Sequence, residues 1–374
     1  MKKFLYSLVL ILSFFVTPAF GDNQSVRVLI LSDAKELKLA VHSTYEILDL
    51  NKNKKILSGK WLSQRNLKTD LRIHLGEYAF DTDRIIINSS KDGKIFVNGK
   101  YFRGELAILK KEKGFSVINI LDIEDYLKGV LYHEVSPKWP LEVLKAQAIV
   151  ARTFALYQNS VSKTKEYDLT SDTFSQVYGG LFSEESKTNL AVDLTKGKVL
   201  TYGNKLFPAY YHATCGGFTE DASVLWNIDI PPLKVVKCNF CNRSPHFVWD
   251  ASISLREIEE KLSATGINTG NIIDIKILSF TPSGRINTLL IKSNKGESEL
   301  SAKQLRQSLG GTIIRSTNFS LRIDKGKAIF KGIGWGHGVG MCQWGANFMA
   351  ESGSKAGEIL RFYYPKAEIT DINQ

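Results

Sequence analysis

Between residues 25 and 113 apolar positions come in short alternating runs, at 26–31, 85–87, 95–97 and 105–109, separated by polar turns. A period of two sends successive side chains to opposite faces, so this stretch predicts strands with one buried face. Two turns carry their own signals: Lys91-Asp92-Gly93-Lys94, and Asn98-Gly99, the pair favoured by a two-residue type I′ hairpin. The period changes at 136–156, SPKWPLEVLKAQAIVARTFAL, where Leu141, Leu144, Ala148, Ala151 and Ala155 recur three or four residues apart. That spacing predicts an amphipathic helix, capped by Ser136 with Pro137 or Pro140 in its first turn, and with Glu142, Lys145, Gln147 and Arg152 off the apolar stripe. Farther on, the chain reads as helix at 255–263, strands at 272–280 and 288–291, and helix at 302–309, with Pro282-Ser283-Gly284-Arg285 turning between the strands. The expected fold is α+β, with a strand-rich N-terminal region at 22–115 and a main domain at 116–366. A small α/β lobe is set into that domain at about 252–312, and a tail follows at 367–374.

Three clusters have the residue types for chemistry. Glu134 lies near the end of the run DYLKGVLYHEV (125–135), among Leu131, Tyr132, Val135 and Trp139. Such neighbours desolvate a carboxyl and raise its pKa, which suits a proton donor; the start of the following helix would favour the anion instead. Taken alone, a glutamate before a helix is more often a solvated residue than a catalyst. The second cluster, KGIGWGHGVGMCQWGA (331–346), has Gly332, Gly334, Gly336, Gly338 and Gly340 at every second position. Period two predicts a strand with one bare face, which a sugar chain or another backbone can approach, and with Trp335, His337 and Val339 on the other. The plain alternative is tight strand packing around a buried His337. The third cluster is His212-Ala213-Thr214-Cys215 followed by Cys238-Asn239-Phe240-Cys241, with His246 nearby. His212, Cys215, Cys238 and Cys241 have the donor set of a tetrahedral zinc shell, and disulfide bonding among Cys215, Cys238, Cys241 and Cys342 is the alternative.

Compartment and charge narrow the partner. Lys2 and Lys3 precede an apolar run at 4–16, then Thr17, Pro18, and Ala19 and Gly21 at small-residue spacing. This predicts a secretory signal peptide (1–21) cleaved after Gly21, an apolar run too short to span a bilayer, and a product working outside the cytoplasm, in the periplasm, wall or medium. The chain of 374 residues has a net charge of +11 and is 43% hydrophobic, which excludes a disordered protein and permits an anionic partner. Outside the cytoplasm that partner is not nucleic acid.

The blocks LKGVLYHEVSPKWPLEVLKAQAIVARTFAL, SDTFSQVYGG, YHATCGGFTEDASVLW and GWGHGVGMCQWGA, in this order, closely resemble the SpoIID/LytB family of cell-wall proteins. The likeness runs from about 97 to 365, including the turn at 283–285 and Phe362-Tyr363-Tyr364-Pro365. It implies a lytic transglycosylase acting on peptidoglycan glycan strands stripped of stem peptides, with Glu134 at the position of the family's catalytic glutamate. No cofactor is then required for catalysis. Tyr126, Gln176, Tyr178, His337 and Gln343 are the expected groove residues. Zinc-binding members of the family have ligands around the 212–215 block, which implies a structural zinc as readily as a disulfide. The family's other attached role, a noncatalytic enhancer of a cell-wall amidase, is the alternative expectation. The sequence departs from the family pattern at Cys342, where Ser is commoner, and at Val135, where Met is.

Overall fold

The alternating N-terminal pattern becomes two antiparallel sheets in a computed structural model that describes residues 24–372. The expected signal peptide lies outside the described residues. One sheet has seven strands, in the order Leu169–Thr170, Ser25–Ala34, Gly114–Asp122, Glu105–Lys111, Arg84–Ser89, Tyr45–Asp49, Lys54–Gly59; its short first strand joins in parallel. The other has six, running Lys100–Phe102, Ile95–Val97, Glu36–Val41, Leu62–Thr69, Ile73–Leu75, Tyr78–Phe80. The Asn98-Gly99 hairpin forms as expected: Val97 faces Lys100, and both turn residues have positive φ, 47° and 91°. The boundary expected at 115–116 falls inside the strand Gly114–Asp122. That strand pairs with Ser25–Ala34, and the N-terminal sheets share one apolar core with the helices that follow.

Those helices are α1 (Ile123–Glu134), which the periodicity reading missed, and α2 (Leu141–Val161). Asp122 caps α1 by accepting from the Glu124 N–H. Helix α2 starts five residues later than Ser136, with Pro140 at its N-cap, where a missing N–H costs nothing. It is no half-exposed amphipathic helix: Gln147 and Arg152 are as deeply buried as its alanines. Arg152 donates from Nε and Nη2 to Glu124 at 2.9 and 2.6 Å, a two-pronged pair that ties α2 to α1.

The next helices are α3 (Ser186–Leu194) and α4 (Ala222–Trp226), and then comes the expected lobe. It holds α5 (Leu255–Ala264), three strands (Ile272–Phe280, Ile286–Ser293, Gly296–Ser301) and α6 (Ala302–Leu309) around its own core. A second small sheet, Val248–Ser254, Lys327–Ile333 and Phe319–Asp324, contributes to that core. The last helices, α7 (Gln343–Glu351) and α8 (Ala356–Tyr363), pack with α2 around a third core that contains all four cysteines. The expected tail contributes a strand, Glu368–Asp371, paired with Lys198–Tyr202.

Candidate active site

Glu134 is the last residue of α1, so the dipole acts on it with the opposite sign from the one its place before α2 implies. A helix C-terminus disfavours a carboxylate. Its side chain faces a cleft of about 660 Å³. The cleft is formed by the end of α1, the 173–177 loop, the strand Tyr211–His212, α4, the glycine-rich segment, and α6 of the lobe. Among the described residues lining it, Glu134 is the sole carboxylate.

Burial is the main influence on that carboxyl and pushes its pKa up to about 7. The Val177 N–H, 3.2 Å from Oε1, opposes the shift, as do the Tyr211 hydroxyl and the Gln343 amide. Gln343 also donates from Nε2 to the Glu134 carbonyl oxygen at 3.1 Å and to Gln147 Oε1 at 3.3 Å, so the first residue of α7 holds the last residue of α1.

The expected groove residues divide into two layers. His337 and Gln343 line the cleft; Tyr126, Gln176 and Tyr178 do not. Tyr126 and Gln176 are fully buried behind Glu134 in a chain of hydrogen bonds: the Tyr126 hydroxyl donates to Gln176 Oε1, and Gln176 Nε2 donates to the Tyr211 oxygen, each at 3.1 Å. With its lone pair so engaged, Tyr211 directs its own proton at Glu134. Tyr178 is buried too, donating to Asn119 Oδ1 at 2.8 Å and packing its ring over Gly129 of α1. All three lie in the protein interior, outside the cleft lining. Tyr211, which touches Glu134, escaped the motif reading because an isolated Tyr in YHATCGG gives no periodic or spacing signal.

The glycine block is not a strand with one bare face. The strand Lys327–Ile333 takes in only Gly332, the first of the five glycines, and Gly334, Gly336, Gly338 and Gly340 all have left-handed φ, from 71° to 113°. Only glycine adopts such a series without strain. The segment kinks past close neighbours: a side chain on Gly334 would meet the Thr214 carbonyl oxygen at 2.7 Å, and one on Gly336 the His212 Cβ at 2.7 Å. Trp335 and His337 line the cleft, while Val339, expected on the same face, is buried. His337 accepts the Val339 N–H on Nδ1 at 3.1 Å. Burial, with the charges of Arg306 and Arg285, pushes its pKa to about 3, leaving a neutral imidazole.

Aromatic walls complete the cleft. Trp226 stacks on Tyr210, ring centres 4.2 Å apart, and meets His337 edge-on; Trp335 stands edge-on to His246 with the Arg315 guanidinium over its ring. Phe174 lies at the lip, 91% exposed. The lobe contributes positive charge through Lys303 and Arg306 of α6. Flat rings, amide and imidazole donors and a cationic edge around one carboxyl can hold an anionic sugar chain and pass it a proton.

The zinc set expected with His212 is corrected. Cys342 gathers with Cys215, Cys238 and Cys241, all four sulfurs lying within 4.8 Å of one another and buried. His212 instead points Nδ1 at the Val339 carbonyl oxygen, 3.1 Å away, and lines the cleft. Cys215 Sγ and Cys241 Sγ stand 3.4 Å apart, beyond a disulfide bond of about 2.05 Å, and all four cysteines are free thiols.

Two family models match the chain: Stage II sporulation protein (SpoIID) over residues 111–202, and a domain of unknown function (DUF8618) over residues 235–340. The first contains α1, α2 and Glu134; the second contains the lobe. Stage II sporulation protein D of Bacillus amyloliquefaciens is 35% identical over 69% of this chain and 76% of its own length. An uncharacterised protein of Brachyspira hyodysenteriae is 35% identical over 77% of each chain. The Amidase enhancer of Bacillus subtilis is 31% identical over 90% of this chain and 51% of its own length.

Proposed function

The chain belongs to the SpoIID/LytB family, and from that membership we propose that it is a peptidoglycan lytic transglycosylase working outside the cytoplasm on stem-peptide-free glycan strands. The observation that carries this reading is the lone cleft carboxyl of Glu134, with its pKa raised to about 7. Glycosidases that use water place two carboxyl groups about 5–9.5 Å apart, one as acid and the other as nucleophile or base. A single group suffices when the nucleophile is part of the substrate.

Glu134, protonated, gives its proton to the glycosidic oxygen between N-acetylmuramate and N-acetylglucosamine. The C1–O bond breaks, and the N-acetylglucosamine 4-hydroxyl leaves. The muramate 6-hydroxyl oxygen then bonds to C1, closing a 1,6-anhydro ring, and its proton returns to the Glu134 carboxylate. No water is consumed, and the acid is regenerated. Gln343 and the Val177 N–H steady the carboxylate between the two transfers. General acid–base catalysis supplies about 10²- to 10⁴-fold; the rest falls to binding that distorts the sugar and stabilises positive charge at C1. Lys303 and Arg306 suit strands without stem peptides, because removing the peptide bares a lactyl carboxylate on each muramate.

Full-length protein incubated with purified, peptide-stripped strands tests this. Mass spectrometry should find anhydromuramate ends with wild type and none with Glu134→Gln. Identical products from both would overturn the assignment. The long match to the Amidase enhancer favours a second reading, a noncatalytic wall-binding protein that stimulates an amidase. That reading requires neither protein to make anhydro ends and both to raise the rate of an added amidase equally.

A further inference from the structure

The buried cluster on the far side of α7's first turn is not used by the proposed reaction. It joins three stretches of chain distant in sequence: Cys215 after the strand Tyr211–His212, Cys238 and Cys241 in an irregular loop ending in the single 3-10 turn Cys241–Arg243, and Cys342 at the N-cap of α7. Four free thiols packed together satisfy little, being weak donors and weak acceptors. The surroundings instead present donors to sulfur. Cys342 Sγ receives the N–H groups of Cys215 and Gly345, each at 3.3 Å, and Cys238 Sγ lies 3.2 Å from the Tyr363 hydroxyl. Such N–H and O–H contacts on sulfur are the outer layer of a metal thiolate site. A buried cation stands beside them: Arg285 is fully enclosed, donates from Nη2 to the Cys215 carbonyl oxygen at 2.6 Å, and has Nε and Nη1 without partners. Its charge faces the buried Glu220 carboxylate first and the sulfurs of Cys215, Cys342 and Cys241 next, an environment that accommodates thiolates.

We propose that Cys215, Cys238, Cys241 and Cys342 bind one zinc ion as four thiolates, in a closed structural site. Four sulfurs and no open position fit zinc in a structural role, and the four displaced protons pass to solvent. The ion fastens the Cys238–Cys241 loop to the two strands that end at His212 and Cys342, which pair in parallel, Tyr211 with Met341 and His212 with Cys342. Tyr211 and Gln343, both on Glu134, are each next to that pair, so the metal acts as a positioning element for the carboxyl. The inference rests on sulfur geometry and stands or falls apart from the proposed reaction.

Metal analysis of full-length protein purified without chelator should find one zinc per chain. X-ray absorption at the zinc edge should show sulfur neighbours only, at about 2.3 Å. Cys342→Ser should lose most of the zinc and melt at a lower temperature, while His212→Gln should retain it. If Cys342→Ser does not fold, the wild-type absorption spectrum decides by itself. Two disulfides in the intact mass, four free thiols without metal, or a nitrogen neighbour at the zinc would each overturn the proposal.

Discussion

The proton affinity of Glu134 is set by groups brought from elsewhere in the chain, Val177 43 residues away and Gln343 on another helix. A donor with a pKa of about 7 is protonated below neutrality, so kcat/KM for strand cleavage should fall as pH rises through 7. Tyr211→Phe removes a bond that favours the anion, and that descending limb should move to higher pH. The same shift is a statement about stability. The folded pKa lies above the ordinary value of 4.5, so the native state binds its proton more tightly, and stability is lost as pH rises from about 4.5 through 7. Glu134→Gln relieves that loss: by thermal melting the variant should be more stable than wild type at pH 8 and no more stable at pH 4. Glu134 was nameable from the family blocks, but local chemistry left it a common glutamate before a helix. Its environment is made of long-range contacts that no spacing encodes. For the same reason no spacing told that Tyr126, Gln176 and Tyr178 are buried rather than lining the cleft.

Between elements, the decisive contact is the Arg152–Glu124 pair, which ties the first turn of α1 to α2. Arg152→Ala leaves a buried carboxylate without its partner and should cost about 3–5 kcal/mol in denaturant unfolding, far more than a surface ion pair. The kinked glycine segment is equally exacting. Gly336→Ala combines a left-handed φ of 113° with a contact against His212, and should cost about 1–3 kcal/mol from the backbone alone while lowering activity by moving His337 and Trp335. Strong periodicity made α2, the lobe and the Asn98-Gly99 hairpin legible. Helix α1 was hidden by Gly129, a poor helix former at mid-helix whose bare backbone admits the Tyr178 ring. The glycine block misled in the opposite direction: alternation is a strand signal when side chains alternate, but here the glycines are needed for φ, which a periodicity count does not register.

At the scale of the molecule, the cleft is shared between the main domain and the inserted lobe, whose helix α6 places Lys303 and Arg306 along it. Lys303→Glu should raise KM for stripped strands several-fold, with a smaller effect on kcat, and the penalty should shrink at high salt, where surface charges are screened. The lobe could be placed from the sequence, since its helices and strands carry their own periods, but its share in the cleft depends on a packing arrangement that only the fold supplies. In the proposed reaction one carboxyl handles both proton transfers while the substrate's own 6-hydroxyl captures C1. Digestion of peptide-stripped strands in heavy-oxygen water, followed by mass spectrometry of the freshly made ends, tests it most directly. The fresh anhydromuramate ends should carry no heavy oxygen; new reducing ends labelled at C1, formed by wild type and not by Glu134→Gln, would mean that water rather than the 6-hydroxyl captures C1.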